Sequence, residues 1–209
     1  MKKIYVIFGG NFDPIHYGHI LSAKELAKEF LIDKIILLPN HNPPHRSKTQ
    51  TSLEDKLKMI KYVTKKDTLF EISLLETKKK KFYTIDTLKK IRLKIGFLES
   101  LSFIIGEDNL YSLNLWKNWK KILSYTHLLI LPRKTKKNYK LEKWIISNTS
   151  KNKSYLYNKP CGYIFFSSIS IKNISSTQIR KNFSNGKTSS GLIPKEIEKY
   201  IISKNLYSN

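Results

Sequence analysis

The stretch Gly9-Gly10-Asn11-Phe12-Asp13-Pro14-Ile15-His16-Tyr17-Gly18-His19 decides how the rest of the chain is read. A short apolar run, Ile4-Tyr5-Val6-Ile7-Phe8, precedes it, and a helical pattern begins near Gly18. Strand, glycine-bearing loop and helix start, in that order, build an anion site at the first crossover of an α/β sheet. Backbone N–H groups left unpaired at the helix start face the ligand, and the helix dipole favours negative charge there. Gly9 and Gly10 leave out the Cβ atoms that would hold a nucleotide away from the main chain. His16 and His19 set two imidazoles beside the same anion. Taken singly, each part is weak: Gly-Gly is usually a turn, and a lone His is usually a satisfied surface or core residue. Two His at i, i+3 could be half of a zinc site, but zinc needs further N or S ligands. His41 and His45 lie on a proline-rich loop, and the only cysteine, Cys161, is far downstream.

Working outward, residues 19–30 have helical spacing, with Ile20, Ala23, Ala27 and Phe30 on one face. The apolar run 34–38 reads as a second buried parallel strand. Pro43 and Pro44 forbid regular structure in 39–46, leaving a rigid loop at a strand's C-terminal end that carries His45 and Arg46. Thr51-Ser52-Leu53-Glu54 fits a capping box for a helix to about Lys66, with Leu57, Ile60 and Val63 inward. Residues 69–75 read as a third strand. A helix led by Phe82-Tyr83-Thr84 buries Ile85, Leu88 and Ile91 and stops at Gly96.

The fourth strand, 101–105, ends at Gly106-Glu107-Asp108-Asn109, a second glycine-acid turn where Asp108 can accept ribose hydroxyls. Trp116 and Trp119 follow on a short helix near 113–123; one is expected in the core and the other is free to stack on a flat heterocycle. Residues 126–131 form a fifth strand closing at Pro132-Arg133, and 134–159 is polar and irregular around one helix holding Trp144 and Ile145. Residues 163–166 make the last strand. Ile174-Ser175-Ser176-Thr177-Gln178-Ile179-Arg180 then opens a helix ending near Gly186; its hydroxyls suit N-caps and phosphate oxygens, and Arg180 lies one turn in from Ser176. Pro194 starts a final helix, 195–204, packing through Ile197, Ile201 and Leu206. Alternating short strands and helices predict an α/β fold: a doubly wound, mostly parallel, Rossmann-like sheet with helices on both faces, in one domain over 1–209.

Composition narrows the class. The chain has 209 residues, 40% of them hydrophobic and spread throughout, enough for a real core. One cysteine excludes an internal disulfide and fits a reducing cytoplasm. Met1-Lys2-Lys3 looks like a signal-peptide head, but the apolar run ends at Phe8, too short for an h-region. No stretch has the apolar length to cross a bilayer. The net charge of +23 could mean phosphate binding along a nucleic acid. The lysine runs at 78–81 and 134–137 read instead as solvated loops in a lysine-rich composition, and no RNA-binding signature accompanies them.

The first loop resembles the GGxFDPxHxGH signature of the HxGH nucleotidyltransferase superfamily, departing from it at Asn11, where that family more often has Thr or Ser. The 174–180 segment resembles the same family's S-[SA]-T-x-I-R element. PNHNPPHR, FYTIDTL, FIIGEDNL with a later Trp, and ISSTQIR together resemble the bacterial nicotinate-nucleotide adenylyltransferase family from Lys3 to about Tyr207. The resemblance implies adenylyl transfer from ATP to nicotinate mononucleotide, giving nicotinate-adenine dinucleotide and pyrophosphate in NAD synthesis. It implies catalytic roles for His16, His19 and Arg180, and ATP contacts from Gly9, Gly10, Asn11, Phe12, His16, His19, Gly106, Asp108, Ser176, Thr177 and Arg180. It places the nicotinate nucleotide against His45, Arg46, Thr84, Asp108, Trp116 and Arg133. It implies no protein metal site, with magnesium held mainly by the ATP phosphates. Lys117 follows Trp116 where relatives often have Tyr. A related adenylyl- or cytidylyltransferase acting on another phosphate monoester, or a basic nucleic-acid-binding relic of the fold, are the alternatives. The expected partners are the two substrates, with no specific nucleic acid and no membrane, in the cytoplasm; the sequence leaves open whether the chain forms a homo-oligomer.

Overall fold

Continuous apolar runs become neighbouring strands because both their faces are covered. The computed structural model describes residues 4–40, 51–77, 82–133 and 141–208. Its strands are β1 (Ile4–Gly10), β2 (Ile35–Pro39), β3 (Phe70–Ile72), β4 (Ser100–Gly106), β5 (His127–Leu131) and β6 (Ile164–Phe166). They pair in the order β3-β2-β1-β4-β5-β6, and every pairing is parallel. The helices are α1 (Tyr17–Glu29), α2 (Leu53–Lys66), α3 (Thr84–Ile95), α4 (Glu107–Tyr111), α5 (Lys143–Asn148), α6 (Tyr155–Asn158), α7 (Ser176–Ser184) and α8 (Lys195–Ser203).

Alternation along β1 assigns the two faces. Val6 and Phe8 join one core with Ala23 and Leu26 of α1, Met59 and Ile60 of α2, and Ile197 and Ile201 of α8. Ile7 points the other way, into a second core with Phe103, Leu128 and Ile85, Leu88 and Ile91 of α3. The sheet is therefore doubly wound. Strand order reverses between β1 and β4, and the crevice at their carboxyl ends is where ligands bind in such sheets. The 9–19 loop leaves β1 at that crevice. Among the described residues no helix is long and apolar enough to cross a membrane.

Several elements differ from expectation. The third strand covers Phe70–Ile72 only, since its ladder to β2 ends at Leu37 opposite Ile72; Leu74 and Leu75 are exposed beyond it. The cap of α2 is Ser52, whose hydroxyl accepts from the Asp55 N–H at 3.1 Å, one residue later than the expected box. On α2 the buried face carries Lys56, Met59, Ile60 and Val63, while Leu57 is half-buried. Residues 113–123 form two 3-10 turns, Leu113–Leu115 and Trp119–Ser124, instead of one helix. Trp116 and Trp119 are both half-buried against the second core, and Trp119 packs on Trp144 with ring centroids 5.1 Å apart. Two short helices, α5 and α6, occupy the region expected to hold one. His45, Arg46, the Pro-Pro turn and both lysine runs lie outside the described residues.

Candidate active site

The loop from β1 to α1 is fixed from within. Phe12 has φ 45°, a left-handed conformation rare for a bulky residue, and its ring is 1% exposed. That ring packs edge-on to Phe8 at 5.6 Å and to His19 at 5.1 Å, so burial holds the unfavourable backbone. Of the expected nucleotide contacts, Phe12 can therefore offer its main chain but not its ring. The glycines answer to the protein's own rings: a Cβ on Gly9 would meet Phe103 at 2.7 Å and one on Gly10 would meet Phe12 at 2.9 Å. A Cβ on Gly18 would meet the His16 ring at 2.9 Å and the Ile174 carbonyl at 3.1 Å. Gly18 thus lets α1 start against both His16 and the segment that leads into α7.

His16 and His19 stack, with centroids 3.7 Å apart and planes at 27°. The His16 backbone N–H donates to His19 Nδ1 at 3.3 Å, which places the neutral His19 proton on Nε2. The His16 side chain is 3% exposed, and its Nδ1 is buried without a hydrogen-bond partner. Burial, with the Arg133 guanidinium adding repulsion, lowers its pKa from 6.5 to about 3. It is a neutral imidazole at any physiological pH. The first helical amide is used inside the fold, since Tyr17 N–H donates to the Leu192 carbonyl at 2.9 Å.

The two signature segments meet. Ser176 donates its hydroxyl to the Pro14 carbonyl at 3.1 Å, and Arg180 Nη1 donates to the Asp13 carbonyl at 2.8 Å. Arg180 Nη2 also reaches Thr177 Oγ1 at 3.3 Å. The capping role expected of three hydroxyls falls to Ser175 alone, which accepts from Gln178 N–H at 3.2 Å; Ser176 and Thr177 are turned to the loop and to Arg180. On the other side of the loop, Arg133 Nε lies 3.5 Å from Asp108 Oδ1 after Gly106, and Arg133 is close enough to His16 to lower its pKa. At the start of α3, Lys117 Nζ is 3.0 Å from Asp86 Oδ2 and 4.5 Å from the Tyr83 ring centroid. That contact brings the residue after Trp116 beside Thr84, the first residue of α3.

Three residues of this site escaped sequence reasoning. Asp13 is 2% exposed and its Oδ1 accepts from Thr51 at 2.6 Å and Tyr207 at 2.8 Å. Tyr207 lies near the far end of the chain, and its hydroxyl pKa is raised by burial and by Asp13. Lys56, fully buried, donates to Asn11 Oδ1 at 2.8 Å. A lysine in the first turn of α2, in line with its apolar stripe, was the available signal. Among the described residues no group of three or more His, Cys, Asp or Glu side chains could hold a metal ion.

The acid behaviour of the fold follows from two buried imidazoles. His127, at the start of β5, accepts the Tyr163 N–H at Nδ1 (3.2 Å), so its Nε2 donates to the Lys159 carbonyl (2.9 Å); only the neutral ring does both. Burial chiefly lowers its pKa to about 4. Both histidines have folded pKa values below the unfolded 6.5, so the unfolded state binds more protons and stability falls as pH drops from about 6.5 towards 4. At pH 5 each is expected to cost about 2 kcal/mol relative to pH 7.5. The Glu76 carboxyl, which burial holds above its ordinary range, opposes part of this loss as pH falls towards that range. Urea unfolding at the two pH values checks it; a difference under about 1 kcal/mol would contradict the buried neutral rings.

Comparison with known proteins agrees with this fold. A family model described as cytidylyltransferase-like matches residues 7–182. A Buchnera aphidicola (from Schizaphis graminum) protein named "Probable nicotinate-nucleotide adenylyltransferase" is 64% identical, covering 99% of this chain and 97% of its own. A Yersinia pestis protein of the same name is 35% identical, covering 98% and 96%. The structure of Plasmodium falciparum nicotinic acid mononucleotide adenylyltransferase complexed with NaAD has the same fold, at TM-score 0.77 and 20% identity, covering 98% of this chain and 97% of that one. A parallel sheet with the HxGH loop at its switch point, matched over residues 7–182 by the family model, defines a nucleotidyltransferase of the cytidylyltransferase-like class. Within that class, the chain belongs to the nicotinate-nucleotide adenylyltransferase family.

Proposed function

We propose that this chain, acting as one domain, transfers the adenylyl group of ATP to nicotinate mononucleotide, giving nicotinate-adenine dinucleotide and pyrophosphate in NAD biosynthesis. The observation that carries the reading is the junction of the two signature segments, Ser176 to Pro14 and Arg180 to Asp13, next to the stacked imidazoles and Arg133. It gathers hydroxyl, guanidinium and imidazole donors at one crevice, a donor set suited to a triphosphate.

The attacking group is a phosphate oxygen, ionised at neutral pH, so no general base is required. The barrier lies in the approach of two anions and in charge gathering on the leaving pyrophosphate. Neutral His16, its pKa lowered to about 3, serves as a fixed dipole, and His19 offers its Nε2–H. Arg180, Ser176 and Thr177 take the β and γ side of ATP, and Gly9, Gly10 and Asn11 take the main-chain side. Asp108 receives ribose hydroxyls, steadied by Arg133. Magnesium belongs to this reading as an ion carried by phosphate oxygens and water, where it would offset triphosphate charge.

The start of α3 at Thr84 suits a pyridine carboxylate better than an amide, because a helix start offers N–H donors and positive potential; the ammonium of Lys117 beside it is already paired with Asp86. Trp116 supplies the flat surface, and Arg133, His45 and Arg46 hold the acceptor phosphate. A cytoplasmic location belongs to the same reading. Initial rates of pyrophosphate release with ATP, magnesium and each of nicotinate mononucleotide, its amide counterpart and pantetheine phosphate test it. The acid nucleotide is expected to be the best acceptor by at least about tenfold, the scale of one charge-assisted hydrogen bond. Turnover of pantetheine phosphate alone would overturn the assignment.

A further inference from the structure

A lysine on the buried face of a helix needs a reason, because its ammonium loses hydration there. Lys56 lies on α2 in line with Met59, Ile60 and Val63, and none of its surface is exposed. Burial lowers its pKa to about 8; Asp13 opposes that shift and Arg180 adds to it, so the ammonium lies in the field of both. Its hydrogen bond goes to a neutral group, Oδ1 of Asn11, at 2.8 Å. Asn11 is the third residue of the Gly9-Gly10-Asn11 turn, at the carboxyl end of β1. Its amide has one acceptor end and one donor end. Lys56 engages the acceptor end, which leaves Nδ2–H as the end offered to an anion, and fixes which way round the amide stands.

We propose that Lys56 is a positioning residue for adenylyl transfer, holding Asn11 in the orientation that donates to the ATP phosphates. The proposal rests on the adenylyl-transfer reading of this site. It also accounts for an asparagine at this position: a Thr or Ser hydroxyl turns freely between donor and acceptor, whereas an amide must be set one way, and a buried cation on its oxygen sets it.

The test compares Lys56→Met, Lys56→Arg, Asn11→Ala and the Lys56→Met/Asn11→Ala double variant, using pyrophosphate release for kcat and KM(ATP) and calorimetric binding of a non-hydrolysable ATP analogue. Lys56→Met is expected to weaken analogue binding about tenfold and to lower kcat/KM about 30-fold, typical of removing one charge-assisted hydrogen bond near the reacting groups. Lys56→Arg should recover most of the loss. Asn11→Ala should reproduce it, and the double variant should be no worse than Asn11→Ala, because the lysine acts through the amide. Multiplying losses in the double variant, or analogue binding by folded Lys56→Met within twofold of the parent, would overturn the proposal. If Lys56→Met does not fold, Asn11→Ala decides, since its side chain is half-buried and outside the α2 core: unchanged analogue binding there would overturn it too. Analogue binding needs no acceptor, so a parent protein that binds ATP without using nicotinate mononucleotide would count against the acceptor assignment and leave Lys56 to be judged on binding alone.

Discussion

His19→Ala is expected to lower kcat/KM for ATP by about 10²–10³-fold, the usual cost of removing one preorganised donor from a developing anion. The magnitude follows from how firmly the ring is set. It stacks on His16 at 3.7 Å, meets Phe12 edge-on at 5.1 Å, and has its proton placed on Nε2 by the His16 N–H. Donors held this way need no reorganisation when charge gathers on the leaving group. His19→Asn should keep part of the activity, because an amide can still donate. The loss should appear in kcat more than in ground-state ATP affinity, since a donor that matters mainly in the transition state contributes little before it. The pH profile should also lack a limb from His16, whose pKa lies at about 3. Steady-state kinetics of the purified variant, with Tm as the control for folding, are the measurement. Turnover within threefold of the parent would remove His19 from the mechanism.

The largest expected effect on stability lies at the opposite end of the sheet. Arg92 of α3 is 1% exposed. Its Nε donates to the Tyr125 carbonyl at 2.6 Å, Nη1 to Glu99 at 2.6 Å and Gly96 at 3.3 Å, and Nη2 to Pro160 at 2.6 Å. Those carbonyls belong to the segments that lead into β4, β5 and β6, so one guanidinium ties together the entry ends of three strands. Five fixed donors match this cluster, and a lysine cannot replace them. Arg92→Met is expected to cost about 3–5 kcal/mol, because four carbonyls lose a charged donor in a dry site. Arg92→Lys should lose about half as much. Native-state kcat should be little changed, since the proposed substrate crevice lies at the strands' other ends. Urea unfolding checks it; a loss under about 1 kcal/mol would show that water or neighbouring groups replace the arginine.

The fold was legible wherever local pattern and tertiary burial agree. β1, β4 and β5 are continuous apolar runs covered on both faces, and Gly96 stops α3 at φ 92° with its N–H on the Arg92 carbonyl, as a helix-stop glycine should. Legibility ended where one pattern has two outcomes. Leu74 and Leu75 continue the apolar run of β3, yet they lie beyond the ladder and reach the surface. At the site, the first loop and the 174–180 segment were legible because they carry their chemistry in consecutive residues. Their junction was not, because Arg180 meets Asp13 across 167 positions and Tyr207 meets it across 194. Lys56 was hidden for the same reason, 45 residues from Asn11, and as one of the many lysines of α2 it reads as solvated surface. The roles proposed for Ser175, Ser176 and Thr177 could be told apart only by seeing which hydroxyl faces the helix and which faces the loop.

The most direct test follows one phosphate through the reaction. Nicotinate mononucleotide carrying ¹⁸O in its phosphate, incubated with ATP, magnesium and the protein, should give nicotinate-adenine dinucleotide that retains the label, with unlabelled pyrophosphate, as read by mass spectrometry. Pyrophosphate formed without the dinucleotide, or pyrophosphate carrying the label, would contradict direct attack by the acceptor phosphate at a site that supplies charge and positioning.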